Sequence, residues 1–404
     1  MSVNARVAGW PSTEVSTIGA VGVAHFCSHL LQLALAPLFL LMRDDLGVSF
    51  LALGTLLSAF YLCSGLGQVA AGVLVDRFGA DRLLLGGIAL QGAATAAMGF
   101  APGYWALVPL AALAGLGNAV YHPADLSILS HRVAPARLGR AFAAHVIAGS
   151  IGFALSPLVS AAIAAAHGWR AALTTMGGAV LVFGFGLLFA RGALQAEGTS
   201  GSGAAHAARG PAPSFLDVLA MPVVLMAFLY FVLTSISLTG IQSFSIAALQ
   251  EGFGASVALA TLAVTLYQVG NTLGVTLGGA VADRSAQHHR IAMSGLAAGC
   301  VLALMAALLH VPPAVTVGLV ALVGFAMGLT TPSRDVLVRG AAPAGATGKV
   351  FGIVYSGYDI GALAGPLLFG LLLDHHLPRL VFIGAAVPLG LAIATAFAVR
   401  RRPA

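Results

Sequence analysis

Charged side chains are scarce in this 404-residue chain, since Asp, Glu, Lys and Arg together make up only 8% of it. A soluble domain carries about 25%. Hydrophobic residues account for 59% of the chain, and the mean hydropathy is +0.97. Lipid is therefore predicted to be the solvent for most of the chain, and no loop is long enough for a soluble catalytic domain. These properties argue against an enzyme.

Lysine and cysteine are also rare. Lys349 is the single lysine among 19 basic residues, and the formal net charge is +6. The arginines lie in short loops, where basic residues set membrane orientation, so this charge does not indicate a nucleic-acid partner. Cys27, Cys63 and Cys300 fall within apolar runs without paired spacing, which argues against a disulfide framework or a zinc ribbon.

What the chain has in abundance is long apolar runs. A membrane-spanning helix needs about 20 apolar residues, whereas barrel strands alternate over about ten. The sequence predicts an all-α membrane protein with twelve spans, at residues 18–42, 50–75, 83–101, 105–129, 139–165, 170–190, 218–248, 256–281, 291–310, 314–335, 348–372 and 379–399.

The basic residues predict the orientation of these spans. If both termini are cytoplasmic, all but three of the 19 basic residues lie inside, the exceptions being Arg43, Arg170 and Arg379. The stretch 192–213 is rich in Gly, Ala, Ser and Pro and reads as a flexible cytoplasmic linker. We therefore predict a six-helix half at 1–190, a linker at 191–216 and a second six-helix half at 217–404.

A signature occurs twice in the chain. Three positions recur at an offset of 207 residues, namely Gly72, Asp76 and Arg77 as Gly279, Asp283 and Arg284. Further positions, from Pro123 and Gly139 to Gly152 and Pro157, recur at an offset of 209. Two tandem hydrophobic halves are the layout of a secondary transporter, whose binding site lies between them. The stretch GATGKV at 345–350 lacks residues that a phosphate-binding loop needs, so we expect neither ATP nor another cofactor.

The loop GVLVDRFGADR between spans 2 and 3, together with the two halves and the linker, resembles the major facilitator superfamily. That family's loop motif is matched at Gly72, Leu74, Asp76, Arg77, Gly79 and Arg82, while Ala80 and Asp81 depart from it. The resemblance implies that Asp76 faces the N-terminus of span 11, where the helix dipole favours a carboxylate. It would also pair with Arg132 or Arg140 and latch the cytoplasmic gate. Asp283 and Arg284 are the equivalent gating residues of the second half.

Within that superfamily, GLGNAVYHPADLSILSHRV at 115–133 and SHLLQ at 28–32 resemble the fosmidomycin-resistance branch of drug/proton antiporters. Ala111 stands where those antiporters have an intramembrane arginine, and GSIGFALSP at 149–157 departs from their span 5 motif. The resemblance implies export of small molecules by a monomer in the bacterial inner membrane.

Ionisable residues inside a membrane are functional by default, because a charge there costs about 2.5–3.5 kcal/mol. Asp359 lies about twelve residues into span 11, as the only acidic residue predicted so deep, and Tyr355 shares its helix face. Asp359 is predicted either to couple protons or bind a cation, or to be a packing carboxylate.

Four histidines form a second candidate group. In span 1, His25, His29 and Gln32 share one face, and in span 4 His122 shares a face with Asn118 and Asp125. His145 lies in span 5. Such a cluster is predicted to carry protons or to bind an anionic substrate. A metal site and a purely structural role remain alternatives.

The remaining candidates lie in the second half or at span ends. Gln242, Tyr267 and Asn271 are predicted cavity residues that orient a substrate. Asp125 and Arg334 occupy equivalent places in the two halves and are expected either to pair locally, with Arg132 and Asp335, or to act in gating.

The sequence thus predicts a proton-coupled exporter of a small amphiphilic or anionic molecule, working by alternating access. Asp359, His29 and His122 are the predicted proton-coupling residues. The alternative is a symporter or facilitator that imports a small organic acid. A membrane receptor without transport activity is a third, less favoured interpretation.

Overall fold

The computed structural model describes residues 11–195, 215–340 and 347–399, and the regular secondary structure in these ranges is helical. The predicted linker, apart from residues 191–195 and 215–216, lies outside the described residues, as do Arg6 and the terminal arginines 400–402. The side chains of Asp76 and Lys349 are likewise outside the described part of the chain.

Length and hydropathy single out ten described segments able to cross a membrane. One of them, Pro135–Phe189, is 55 residues long and is broken at Gly168, whose φ of 81° and ψ of 167° are not helical. It therefore supplies two crossing helices, and Ala80–Met98, packed among its neighbours, is the remaining one. The prediction of twelve spans is confirmed for the described residues.

In chain order these helices are α1 (Ser12–Leu46), α2 (Phe50–Phe78), α3 (Ala80–Met98), α4 (Tyr104–Arg132), α5 (135–167), α6 (169–189), α7 (Pro222–Phe253), α8 (Val257–Ala282), α9 (His288–Leu308), α10 (Pro313–Gly340), α11 (Thr347–Asp374) and α12 (Pro378–Val399). Each predicted span overlaps one of them. Helices α1–α6 pack as one half and α7–α12 as the other.

The sequence repeat is also a repeat in space. Gly115 of α4 lies so close to α2 that a Cβ would be 2.1 Å from the carbonyl oxygen of Phe60. Gly324 of α10 meets the carbonyl oxygen of Tyr267 in α8 at the same 2.1 Å. These two contacts are related by the offsets of the sequence repeat, so both halves use one packing scheme.

The beginning of the predicted linker belongs to the first half. Arg191–Leu194 is a helical turn in which Leu194 is fully buried. The carbonyl oxygen of Ala193 accepts a 2.8 Å hydrogen bond from Thr17, and Arg191 Nε lies 2.9 Å from Asp81 Oδ2. An apolar side chain and two polar contacts hold this turn in place.

The two ends of the bundle differ. The basic end carries the connections at 79–82, 132–140 and 283–290, and the opposite end carries those at 46–50, 253–257 and 374–378. Towards the opposite end the halves are joined by an Arg43–Glu251 ion pair and by hydrogen bonds from the amides of Phe50 and Leu51 to Asp374.

Helices α2 and α11 separate towards the basic end. Four positions spaced seven residues apart share the α2 face that meets α11: Leu51, Ser58, Gly65 and Gly72. The first three contact Gly370, the carbonyl oxygen of Leu363 and Asp359, in that order. Among the described residues, a Cβ at Gly72 would have nothing within 4 Å, and the same holds for Gly352 of α11. The described parts of the two halves are therefore in contact at the opposite end and apart at the basic end.

Candidate functional site

A cavity lies between the two halves in the middle of the bundle. Its main part has a volume of about 540 Å³ and an adjoining part about 380 Å³, and both are lined by His29 and His122. Ten of the predicted substrate-binding residues line one or both parts: His25, His29, Gln32, Asn118, His122, Gln242, Tyr267, Asn271, Tyr355 and Asp359. Their binding role stays a prediction.

Three of the lining helices are interrupted where they meet the cavity. The helical segment of α1 ends at Gln32, and the carbonyl oxygens of Leu30 and Ala34 accept hydrogen bonds of 2.6 and 2.7 Å from Ser156 and Ser160 of α5. Backbone groups inside a membrane must be satisfied within the protein, which explains these serines. The break leaves Gln32 Nε2 3.4 Å from the hydroxyl of Tyr61.

Helix α4 is interrupted at Ala119 and Val120, between Tyr104–Asn118 and Tyr121–Arg132. Pro123, just beyond the break, has no amide to donate to the preceding turn. Asn118 is fixed on both sides, accepting a 2.8 Å bond from Ser28 and donating a 2.9 Å bond to Ser64. In α7, Gly240–Phe244 is a single π-helical turn that carries Gln242, whose amide bonds Gln268 at 2.9 Å. Such turns are frequent at functional sites.

The histidines and one acid form a compact cluster in the first half. His145 Nε2 lies 3.0 Å from Asp125 Oδ2, and His25 Nδ1 lies 3.3 Å from the same oxygen without hydrogen-bond geometry. The ring of His25 is 3.7 Å from that of His145, 4.3 Å from His29 and 5.2 Å from His122, between centroids. The predicted grouping of four histidines is therefore observed. His145 lies behind His25 and does not line the cavity.

The expected local pairing of Asp125 with Arg132 is wrong. Asp125 has 0% of its side chain exposed and contacts both His25 and His145. Arg132, two turns further along α4, donates instead to the carbonyl oxygen of Gly192 at 2.7 Å. Asp125 is also a deeply buried acid, so Asp359 is not the only one inside the bundle. The position of Asp125 on the same helix face as His122 was the feature of the sequence that pointed to its place beside the histidines.

Three donor atoms from His25, Asp125 and His145 lie within 4.8 Å of one another. This separation is compatible with a metal ion as well as with a hydrogen-bonded cluster. The metal alternative therefore stays open beside the protonation and structural ones.

Asp359 lies where the two halves meet. Its side chain borders the cavity from α11, and a Cβ placed on Gly65 of α2 would be 3.1 Å from its Cβ and Cγ. Within the described part of the chain, no hydrogen bond to its carboxylate is found. Tyr355, one turn earlier, donates to Asp335 at 3.2 Å and is therefore directed towards α10.

Sequence reasoning gave too little weight to Arg334. It pairs with Asp335 at 2.9 Å, as expected, but it also lines the cavity and donates a 2.8 Å bond to the hydroxyl of Tyr358. Its guanidinium lies 4.6 Å from the centre of the Phe231 ring. An arginine within a mostly apolar span was the feature of the sequence that could have identified Arg334 as a cavity residue.

The predicted gating residues lie at the basic end. Gly79 ends α2 with a φ of 90°, and Arg77 contacts the ring of Phe78 at 5.3 Å. Arg77, Arg82, Arg140, Asp283 and Arg284 are exposed. The predicted contact of Asp76 with α11 lies outside the described residues. No described residue lies within 4 Å of a Cβ placed on Gly72.

Two pseudo-symmetric six-helix halves around a central polar cavity define a membrane transporter. Residues 21–246 and 233–404 match the model of the Major Facilitator Superfamily. The chain belongs to that family, whose members are transporters and not enzymes. It is a multi-pass membrane protein with a small-molecule substrate.

Two relatives match nearly the whole chain. The fosmidomycin resistance protein of Escherichia coli K12 is 26% identical over 93% of this chain and 91% of its own length. A probable sulfoacetate transporter of Cupriavidus necator is 26% identical, covering 95% of this chain and 94% of its own.

The fold is also shared with solved structures. The inward-facing, occupied form of a bacterial homologue of the human lysosomal transporter Spinster superposes with a TM-score of 0.80 at 14% identity, covering 97% of this chain and 98% of that one. A nucleoside transporter gives a TM-score of 0.76 at 13% identity, covering 95% and 100%.

Proposed function

We propose that the protein is a proton-coupled exporter of a small amphiphilic or anionic molecule. The observation that carries this proposal is the placement of ionisable groups from both halves on one cavity. Asp359 comes from the second half, and His29 and His122 come from the first. A group that gains or loses a proton at this point acts where the halves move against each other.

The orientation of the chain supports export. With the basic end and both termini in the cytoplasm of a bacterial inner membrane, the arginines obey the positive-inside rule. The open cavity then receives substrate from the cytoplasm. Closure of α2 against α11 near Gly72 and opening at the opposite end would release it outside.

The position of Asp359 suggests how protons enter the cycle. The carboxylate rests against Gly65, on the stripe of α2 that approaches α11. An unpaired charge at bilayer depth is costly, so a protonated Asp359 permits closure more readily than an ionised one. The membrane potential contributes about 2.3 kcal/mol per charge per 100 mV to the exchange of protons for substrate.

The relatives support a small anionic substrate, since one confers resistance to fosmidomycin and another is a probable sulfoacetate transporter. The second of these names is compatible with the alternative, import of a small organic acid, because sulfoacetate is a small organic acid and the name gives no direction. The direction of flux separates the two functions. We expect the transporter to work as a monomer, because each chain contains both halves of the cavity.

The proposal is tested in an efflux-deficient bacterium that expresses the chain and is challenged with fosmidomycin and other toxic compounds. Expression is expected to confer resistance that Asp359→Asn removes. Asp44→Asn is the matched control, because Asp44 is an exposed carboxylate away from the cavity. If expression confers resistance to none of the compounds and the cells take up labelled sulfoacetate, the protein is an importer and not an exporter.

The coupling is tested separately with purified protein in liposomes. Asp359→Asn is expected to lose accumulation driven by a proton gradient and to keep substrate exchange, which needs no net proton movement. If Asp359→Asn accumulates substrate against a gradient as the wild type does, Asp359 is not the coupling residue.

A further inference from the structure

Among the arginines whose side chains the structure describes, Arg334 is the one that is buried, and it lies on the wall of the main cavity. Burying a guanidinium is costly unless it is paired and hydrogen-bonded. Three groups hold it: the carboxylate of Asp335, the hydroxyl of Tyr358 and the face of the Phe231 ring. None of these side chains comes from the first half, so the opposite side of the cavity leaves the cation accessible to a ligand.

The pairing of Arg334 with Asp335 is asymmetric. The side chain of Arg334 is 10% exposed, whereas that of Asp335 is 40% exposed. The counter-ion is thus the hydrated partner, and it also accepts a bond from Tyr355. A guanidinium has five N–H donors, and Asp335 and Tyr358 do not use all of them. A second oxyanion can bind the remaining donors or replace Asp335.

Two hydroxyl groups without hydrogen-bond partners, on the same cavity wall as Arg334, are a second and separate indication of a ligand. Tyr230 and Tyr267 are 4% and 1% exposed, line the main cavity, and have hydroxyl oxygens without a hydrogen-bond partner in the described structure. A buried hydroxyl without a partner is unfavourable. A ligand rich in acceptor oxygens would satisfy both.

The facing wall is compatible with such a ligand. His25, His29 and His122 border the main cavity from the first half, while Asp125 is covered by His25 and does not line it. Asp359 borders the adjoining part of the cavity. The main part therefore has one fixed cation, one hydrated acid and several neutral or titratable donors.

We infer that the transported molecule carries an oxyanion, such as a carboxylate, sulfonate or phosphonate, and that Arg334 binds it. Tyr230 and Tyr267 donate to this group or to polar atoms beside it. Asp335 neutralises Arg334 when the cavity is empty and is displaced by substrate. This inference rests on the proposed transport function and adds the substrate's chemical class.

The test measures binding to the purified transporter in detergent, with no gradient present. The probes are sulfoacetate and the phosphonate fosmidomycin, compared with the cations ethidium and tetraphenylphosphonium. At least one oxyanion is expected to bind and to stabilise the protein against heating. Arg334→Gln is expected to bind it at least about tenfold more weakly, since hydrogen bonds to charged groups are worth about tenfold or more in affinity.

Two further variants separate recognition from folding. Arg334→Lys keeps the charge and should show an intermediate affinity, because lysine cannot bind an oxyanion with two parallel bonds. Asp335→Asn removes the competing acid and should tighten oxyanion binding. Arg290→Gln, an exposed arginine at the basic end, is the control and should bind as the wild type does.

The inference is overturned if Arg334→Gln binds the oxyanion with unchanged affinity, or if the wild type binds only the cations or neither kind of probe. It is also overturned if Asp335→Asn weakens binding as Arg334→Gln does, because the pair is then purely structural. If Arg334→Gln does not fold, Arg334→Lys and Asp335→Asn decide. The two proposals can fail separately. If oxyanion binding depends on Arg334 as expected, but Asp359→Asn still accumulates substrate as the wild type does, the role of Asp359 in coupling is wrong and the substrate class stands.

Discussion

The carboxylate of Asp374, at the end of α11, accepts a 2.7 Å hydrogen bond from the backbone amide of Phe50, at the start of α2. The next amide, of Leu51, donates to the same carboxylate at 2.9 Å. The third, of Ala52, is bonded by the side chain of Ser49 at 3.1 Å. Two of the free amides at the N-terminus of α2 are thus satisfied by an acid from the other half. The family resemblance predicts the reverse arrangement at the basic end, with Asp76 of α2 at the start of α11.

Removal of the Asp374 carboxylate is expected to shift the transporter towards the conformation that is open at the opposite end. A carboxylate at a helix N-terminus contributes up to about 2 kcal/mol, so Asp374→Ala should change the ratio of the two conformations by about five- to thirtyfold. Spin labels on cysteines at Asp44 and His375, with Cys27, Cys63 and Cys300 replaced by serine, would report the distance between the halves at that end.

Ser49→Ala is the control for this experiment, because Ser49 caps α2 from within its own half. It should lower stability and leave the distance distribution unchanged. A distribution in Asp374→Ala identical to that of the wild type would show that the carboxylate does not hold the halves together.

A side chain larger than hydrogen at Gly72 should shift the same equilibrium the other way. No described residue lies within 4 Å of a Cβ at Gly72, although this glycine continues the stripe that meets α11 at Ser58 and Gly65. Gly72→Leu therefore costs nothing in this conformation and obstructs closure at the basic end. The spin-label distances should sharpen around the closed value at the opposite end, and transport should fall. Transport at the wild-type rate would show that α2 and α11 do not approach each other at Gly72.

Gly168→Ala is expected to destabilise the fold by about 1–3 kcal/mol, because its φ of 81° and ψ of 167° suit only glycine. The measurement is the thermal unfolding midpoint in detergent. Gly178→Ala is the matched control in α6, since that glycine is helical and its added Cβ would have nothing within 4 Å. Equal unfolding midpoints for the two variants would show that the backbone between α5 and α6 does not require glycine at position 168.

Asp125→Ala should lower the unfolding midpoint more than Asp125→Asn. Alanine leaves the buried Nε2 of His145 without its acceptor, at a cost of about 1–3 kcal/mol for an unsatisfied buried group. Asparagine keeps an acceptor oxygen in the same place. Identical midpoints for both variants would mean that the histidines are satisfied without Asp125.

The sequence was a good guide to the helices and to the repeat, for a physical reason. Each crossing segment must be apolar along its length, so the twelve runs were recognisable one at a time. Close packing of α2 with α4 and of α8 with α10 requires glycine at Gly115 and Gly324. Such requirements leave equal spacings in both halves of the sequence.

The candidate site was less accessible from the sequence, because its geometry depends on breaks in the helices and on distant partners. Helical periodicity contains neither the end of the first segment of α1 at Gln32 nor the π-helical turn that carries Gln242. Arg334 is held by Phe231 of α7, far away in the chain, and by Tyr358 of α11, the next helix. A list of polar residues in spans finds the members of the site but not their pairing.

Asp125 and Arg334 stand at equivalent positions, 209 residues apart, in two halves that pack alike. The duplicated scaffold has kept its shape while its chemistry has diverged, with a histidine-bound acid in one copy and a cavity-facing base in the other. Two joined copies of the first half would therefore assemble similar walls and enclose a similar space. That space would have no fixed cation at this position, and the difference between the halves, more than the shape they share, would be what gives the transporter its selectivity.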